Sequence, residues 1–455
     1  MNMGLKGKLI NLKIIQQEYG GKAVGWYQGK RVVTNQGIVG QLVTAKIKRI
    51  RQHSVEAETQ EVLKKSPLET ETACSHFDQC GGCSMQGVSY NTQVAMKEEQ
   101  VRDLFELNKI NSGIWLPTLQ SPRVYEYRNK MEFSFGDQCK GGTLTLGMHQ
   151  RGRRFDVVDT PDCNIIDEDF RLIRTITVRY FREKGIKHYH RMTHDGILRH
   201  LVIRKAAFTG EILVNLVTAG MPGLPVEEWK KALLMLQTQG KITGILWTRN
   251  DGVADTVQCD SLQLLYGKST LSEKMLGLRF SITPFSFFQT NSFAAELLYK
   301  SVIELMEPSD QTVADLYCGL GTISQLLARK ASSVTGIELI DEAVSQARID
   351  ALKNGIENCL FIAGDVKEVL SALPAKPDLI VVDPPRPGVN PKAMEELLKL
   401  APGTFIYVSC NPKTLVENVK QALAAGWEIG TKRCVDLFPH TPHLEMVVTL
   451  HKAVQ

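Results

Sequence analysis

The chain holds 455 residues, of which 43% are hydrophobic and 23% charged. That length exceeds one hydrophobic core, so two or three globular domains are expected. No apolar run is long enough for a membrane span, and the stretch from Met1 to Lys8 lacks an apolar signal core. A cytoplasmic location is the expectation. Ten cysteines without an export signal read as thiols or metal ligands rather than disulfides. The net charge is +5, but residues 1–53 carry ten Lys/Arg against one acid, a balance of +9 that leaves −4 for the other 402 residues. A basic module on a near-neutral body predicts a polyanion partner.

Residues 6–60 alternate with period two between glycine breaks, over 8–15, 21–26, 31–34, 42–50 and 54–63. Five short strands at this spacing predict a small β-barrel of OB type, a common nucleic-acid binder. Trp26 and Tyr27 are either platforms for base stacking or, for one of them, part of the barrel core. Residues 64–73 are polar and contain Pro67, as a linker would.

Cys74-x5-Cys80-Gly81-Gly82-Cys83 is the strongest local motif of the front half. Thiols at this spacing, with glycines that let the backbone wrap, suit a soft metal. A fourth ligand would come from Cys139 or Cys163, with structural zinc or free thiols as the alternatives. Residues 91–108 predict an amphipathic helix that turns Val94, Val101, Leu104 and Phe105 inward.

From 123 to 275 strand-like runs dominate, with a helix near 166–184, so an α+β central domain is expected. Arg151, Arg153 and Arg154 share one loop, and residues 171–205 carry ten Lys/Arg, two acids and four histidines, His188, His190, His194 and His200. No pattern of supporting groups accompanies the histidines, so a solvated, polyanion-facing surface is preferred to a metal site.

Residues 312–338 read as strand, Gly-turn, helix, strand and acid. Gly319 and Gly321 make the turn, and Glu338 closes the second strand, as in a nucleoside-binding half-site. Two further strands end in Asp383-Pro384-Pro385-Arg386 and in Ser409-Cys410-Asn411-Pro412, and Asp365 follows another apolar run. Four consecutive strand ends would then converge on one crevice, where ligands sit in an open α/β sheet.

The set Phe288-Gln289-Thr290-Asn291, Asp315 to Gly321, Asp383 to Arg386, Ser409 to Pro412 and His443-Leu444-Glu445 resembles the RNA 5-methyluridine (uracil-C5) methyltransferases. The resemblance covers the whole chain. It implies an N-terminal TRAM RNA-binding barrel (1–60), a central domain with an iron–sulfur site (61–282), and a Rossmann-like methyltransferase domain that uses S-adenosylmethionine (283–455). Helix 91–108 would pack back on the catalytic domain. Among Cys139 and Cys163 the resemblance picks Cys163, so that Cys74, Cys80, Cys83 and Cys163 would hold a structural [4Fe-4S] cluster. It also puts Tyr127, Arg128, Asn129 and Lys130 near substrate. Carrying both cluster and TRAM barrel, the chain looks like the branch that modifies 23S ribosomal RNA, as naked RNA or an early assembly intermediate, acting as a monomer. The alternative substrate is tRNA.

Uracil C5 is too poor a nucleophile to attack a sulfonium methyl directly. A thiolate added at C6 makes C5 electron-rich, and a base then removes the C5 proton after methyl transfer. By resemblance, Cys410 would be the nucleophile and Glu445 the base. Gln289, Tyr317, Gly319, Gly321, Glu338, Asp365 and Asp383 would form the cofactor site, with Glu338 on the ribose hydroxyls and Asp365 at the adenine edge. His440 and His443 would either orient substrate or serve local structure. Three rival functions remain: a nucleobase-amine methyltransferase of the Asp-Pro-Pro type, a dehydrogenase (though the turn lacks a third glycine), and a non-catalytic RNA-binding or redox protein.

Overall fold

Among the described residues the chain forms three large sheets and one two-stranded hairpin. The computed structural model describes residues 5–452 apart from 154, 221–222, 255–256, 307–309, 371–375 and 401. The first sheet has six strands, in the order Leu9–Lys13, Leu42–Ile50, Val55–Lys64, Lys30–Thr34, Lys22–Tyr27 and Gln16–Glu18. Strict alternation in Leu9–Lys13 turns Ile10 and Leu12 inward. The sheet curls on itself so closely that a Cβ on Gly25 would stand 2.3 Å from the Lys13 carbonyl oxygen. Only glycine fits there. Ile10, Leu12, Ile14, Val32, Val43 and Ile47 fill the resulting core.

The middle sheet has seven strands, from Val157–Asp159 at one edge to Ser261–Gly267 at the other. Helices Glu168–Glu183 and Val226–Leu234 belong to this part of the chain, and Phe133, Phe170, Phe181 and Trp229 are buried in its core. A hairpin, Leu271–Met275 with Leu278–Ile282, carries the chain into the third sheet and shares that sheet's core.

The third sheet has eight strands, in the order Cys359–Ala363, Ser333–Glu338, Thr312–Leu316, Leu379–Val382, Thr404–Ser409, Glu445–Lys452, Trp427–Val435 and Ile114–Trp115. The first five run parallel, and Glu445–Lys452 inserts antiparallel between its two neighbours. Val313, Val381 and Val408 pack on one face while Ala314, Val382 and Tyr407 pack on the other, so the central strands bury apolar residues on both faces. The pair Ile114–Trp115 was not predicted. Two residues carry no periodicity, and their pairing with Trp427–Val435 is wholly long-range.

Helix Tyr90–Leu107 is capped by the Ser89 hydroxyl, and it seats Val101 and Phe105 in the core of the third sheet. Lys97, also on this helix, is 1% exposed and donates to Asp436 at 2.9 Å and to the Phe438 carbonyl at 3.0 Å. A buried ion pair adds little net stability, but breaking it strands a charge. Lys97→Met should therefore lower stability by about 3–5 kcal/mol, seen as a large drop in the melting midpoint. A midpoint close to wild type would show that Asp436 finds another partner.

Candidate active site

The Gly-turn that follows Thr312–Leu316 is held in an unusual backbone conformation. Tyr317, Gly319 and Gly321 all have positive φ, at 63°, 55° and 70°. A Cβ on Gly321 would meet the Phe361 ring at 2.4 Å, so glycine is required by both conformation and space. The Gly319 amide donates to the Glu338 carboxylate at 3.0 Å, and the same carboxylate accepts from the Ile340 amide at 3.0 Å. Glu338 thus ties the turn to the next strand tip. Asp365 accepts from the Lys367 amide at 2.8 Å.

One cavity of about 1920 Å³ collects Gln289, Tyr317, Gly319, Glu338, Asp365, Asp383, Cys410 and Glu445. Gly321 is not part of its lining. The same cavity reaches Gln17 and Gly21 of the first sheet and Cys83 of the cysteine loop.

Strand register brings Cys410 and Glu445 together. Ser409 pairs with Met446 and Val435 pairs with Glu445, so the start of the antiparallel strand lies at the same edge as the carboxyl end of Thr404–Ser409. Glu445 is buried, and among the described residues its Oε2 has no hydrogen-bond partner. Burial, reinforced by Asp383, pushes its carboxyl well above the ordinary range, while Arg386 works against that. Burial alone raises Asp383 to about 7. The Cys410 thiol is pushed up to about 11 by burial, then by Glu445 and Asp383, with Arg386 opposing. Asp315, under the turn, is also raised to about 7 by burial and accepts from the Ser324 hydroxyl at 2.5 Å. Acids crowded in an apolar crevice share protons unless a cation joins them.

The other cysteines fit a nucleophile less well. Cys434 is buried with its sulfur 3.3 Å from the Met446 sulfur, and burial places Cys318 far above the thiol range. Cys259 and Cys139 are exposed. The role of Arg386 as the cation beside Cys410 and Glu445 was not read from sequence, although the residue closes the Asp-Pro-Pro motif.

The central domain braces this site. Asn129 donates from Nδ2 to the Gln289 carbonyl at 2.9 Å and to the Ser292 hydroxyl at 2.8 Å, and its amide donates to the Thr290 carbonyl at 2.9 Å. Asn291 caps helix Ser292–Glu304. The Tyr127 hydroxyl, fully buried, donates to the Pro439 carbonyl at 3.0 Å. Of the stretch expected near substrate, Arg128 lines the cavity, whereas Tyr127 and Asn129 hold loops in place. The two histidines separate likewise. His443 lines the cavity, but His440 is buried, stacks on Tyr125 at 4.8 Å, and is lowered to about 4 by burial.

The expected polyanion-facing surface over 171–205 keeps Arg179, Arg182, Lys184, Lys187, His190 and His194 exposed, but four of its members are withdrawn from it. Arg174, Arg199, Arg204 and His200 lie inside the fold. Arg204 reaches the carbonyls of Pro284 and Ser286, Arg199 those of Asn250, Gly252 and Ala254, and Lys205 pairs with Asp167 and Asp169. Charge counts along a sequence cannot tell a guanidinium that collects carbonyls from one in water. Arg151 is similarly used, donating to the carbonyls of Phe77, Cys80 and Cys83, while Arg153 pairs with Asp156 at 3.0 Å. Arg154 lies outside the described residues. Trp26 is exposed, and Tyr27 packs against the first core.

Cys74, Cys80, Cys83 and Cys163 are close enough that each of the other three raises the Cys163 thiol, which burial chiefly pushes to about 12; Cys83 is raised to about 11 in the same way. Among the described residues, however, no three His, Cys, Asp or Glu side chains stand in a metal-holding arrangement. The donor chemistry fits a soft metal; the ligand-distance geometry is not formed.

A positive-φ Gly-turn, acids at successive strand tips and one antiparallel insertion define the S-adenosylmethionine-dependent methyltransferase fold. The profile of the tRNA (Uracil-5-)-methyltransferase family matches residues 226–453. An uncharacterized RNA methyltransferase of Clostridium tetani is 46% identical over 448 residues, covering 98% of both chains. Another, from Clostridium acetobutylicum, is 45% identical over 455 residues and covers both chains completely. The solved Pyrococcus abyssi tRNA (uracil-54, C5)-methyltransferase, bound to S-adenosyl-L-homocysteine, superposes with TM-score 0.78 at 25% identity, over 97% of this chain and 99% of that one. The chain belongs to the uracil-C5 RNA methyltransferase family. It is an S-adenosylmethionine-dependent RNA methyltransferase.

The buried acids set a pH dependence. A carboxyl raised from 3.8 to about 7 is protonated in the folded chain and ionised in the unfolded one across that window. The folded state then binds more protons, so the stability Asp383 contributes is full below the unfolded value and lost as pH rises through about 7. Ligand-free protein should melt lower at pH 8 than at pH 5, and Asp383→Asn should shrink that fall. Differential scanning fluorimetry at the two pH values checks it; equal falls would mean Asp383 is already ionised when folded.

Proposed function

We propose that this protein methylates C5 of a uridine in RNA through a covalent adduct between Cys410 and C6. The observation that carries the reading is the register that sets Cys410 beside Glu445 with Asp383 and Arg386 at the same crevice. Arg386 favours the Cys410 thiolate, which attacks C6. Electron density moves onto C5, which takes the methyl group from the sulfonium. Glu445, deprotonated, removes the C5 proton, and elimination returns the thiolate.

S-Adenosylmethionine supplies the methyl and a positive charge that complements the buried acids. Gln289, Tyr317, Gly319, Gly321, Glu338, Asp365 and Asp383 would hold it, with the exposed lone pairs of Glu338 toward ribose. The first sheet, with its basic surface and exposed Trp26, is read as a TRAM-type RNA-binding barrel. Residues 1–60, 61–282 and 283–455 are read as its three functional parts.

The substrate proposed first is 23S ribosomal RNA, on the resemblance of a chain that joins barrel and cysteine motif. A second reading, tRNA, is favoured by the Pyrococcus abyssi enzyme, whose name gives a tRNA uracil and which matches this chain end to end. Mapping 5-methyluridine in both RNAs from cells lacking the protein decides between them.

Replacing the two proposed groups should stop the reaction at different steps. Cys410→Ala should bind RNA and give neither methyl transfer nor adduct. Glu445→Gln should attack and methylate, then stall as a methylated protein–RNA adduct that survives denaturing electrophoresis. Normal turnover by Glu445→Gln would remove Glu445 as the base.

Cys74, Cys80, Cys83 and Cys163 are proposed to hold a [4Fe-4S] cluster of structural role. Their mutual proximity and the Arg151 clamp on the loop carbonyls support it. Protein purified without oxygen should be brown and contain iron and acid-labile sulfide. Zinc alone, with no visible absorption, would assign the four thiols to a zinc site.

A further inference from the structure

We infer that Tyr19, supplied by the N-terminal sheet, is a positioning residue of the methyl-transfer site, its hydroxyl bridging the strand ends that carry Cys410 and Glu445. The inference rests on the reading of Cys410 as nucleophile and adds to it a group from a distant part of the chain.

Tyr19 stands in the turn Tyr19-Gly20-Gly21 between strands Gln16–Glu18 and Lys22–Tyr27. Both glycines have positive φ, which lets the turn fold tightly. A Cβ on Gly21 would come within 3.3 Å of the Pro442 ring, so the turn is wedged against the loop that leads into Glu445. Among the described residues, Tyr19 is the only one of the first 64 that enters the core of the third sheet, where Tyr407, Leu444 and Met446 also lie. It is buried, at 6% exposure.

The Tyr19 hydroxyl donates to the Cys410 carbonyl at 3.3 Å, and the Leu444 backbone lies close enough to act on the phenol. Cys410 lies one residue past the last ladder pair, Ser409 with Met446. A carbonyl beyond the end of a ladder is costly to bury without a partner. The phenol fills this need and fixes the Cys410 backbone relative to the residue that precedes Glu445. It is kept neutral, because burial and then Glu445 raise it far above the ordinary phenol range. A neutral phenol can go on donating at any pH at which the enzyme works.

The N-terminal sheet therefore forms part of the catalytic wall, besides any contact it makes with RNA. Gln17, Gly20 and Gly21 line the same cavity as Cys410.

The test compares wild type, Tyr19→Phe and Cys410→Ala as full-length protein with whatever cluster it carries. The probe is RNA containing 5-fluorouridine, whose fluorine cannot leave as a proton does, so that the adduct accumulates. Single-turnover adduct formation, RNA affinity and cofactor affinity are measured on each. Tyr19→Phe keeps the ring and loses the hydroxyl. Adduct formation should slow by about tenfold, the scale of one well-placed hydrogen bond at a reacting centre. Affinities for RNA and S-adenosylmethionine should stay within about twofold of wild type. An unchanged rate overturns the inference, and so does a loss of RNA affinity equal to the loss of rate, which would make Tyr19 an RNA contact. If Tyr19→Phe is unstable, Tyr19→Leu, which likewise lacks the hydroxyl, is judged by the same two measurements. An adduct formed by Cys410→Ala would instead refute the nucleophile reading itself.

Discussion

The antiparallel insertion of Glu445–Lys452 between Thr404–Ser409 and Trp427–Val435 is the constraint on which the site depends. In a parallel sheet every carboxyl end lies at one edge, so that edge receives only the residues that follow strands. Reversing one strand brings the residues that precede it to the same edge. Glu445 reaches Cys410 for this reason, and a slip of one residue would turn every side chain of the strand to the opposite face. Tyr407 and Val408 of one strand, with Val447 and Val448 of the other, alternate between the two cores and lock that register.

Given that register, electrostatics explains the rest of the crevice. Asp315 and Glu445 are buried with the half-buried Asp383 beside them, and each carboxyl is raised by desolvation, by its neighbours, or by both. Like charges taken out of water repel and hold protons. Arg386 offsets part of this for Cys410 and Glu445. A sulfonium cofactor would offset more, since a positive charge set among the acids favours their ionised forms. In that account the thiol is reluctant to ionise in the empty crevice and becomes a better nucleophile as the cation arrives. Cofactor and nucleophile are then coupled through charge as well as through distance.

Much of this was legible in the sequence because local chemistry leaves local marks. The Gly-turn needs glycine at 321, where Phe361 leaves no room for a Cβ, and the acid at the next strand tip, Glu338, accepts from the Gly319 amide. The N-terminal strands followed their period-two pattern, down to Leu42–Ile50 with both bounds as predicted. What escaped was non-local. Arg174 and Arg199 fell in a stretch read as polyanion-facing but collect carbonyls inside the middle domain, and Arg204 collects those of Pro284 and Ser286 beyond it. His440, left open between substrate and local structure, is a buried ring stacked on Tyr125. Tyr19 carries no motif at all, because its partner lies 391 residues away.

Those long-range contacts share one pattern, in which distant parts of the chain satisfy the strand-end loops of the third sheet. Asn129 and Arg204 of the middle sheet bind the carbonyls of 284, 286 and 289, Lys97 binds Asp436 and the Phe438 carbonyl, and Tyr127 binds the Pro439 carbonyl. Loops at the carboxyl edge cannot satisfy their own backbone groups when they are shaped around a ligand. Left to water they would sample many conformations, and the distances on which attack and proton removal depend would spread. By supplying donors from elements that are themselves packed into separate cores, the chain fixes these loops without filling the crevice. The front half of the protein is in this sense the scaffold of the catalytic edge.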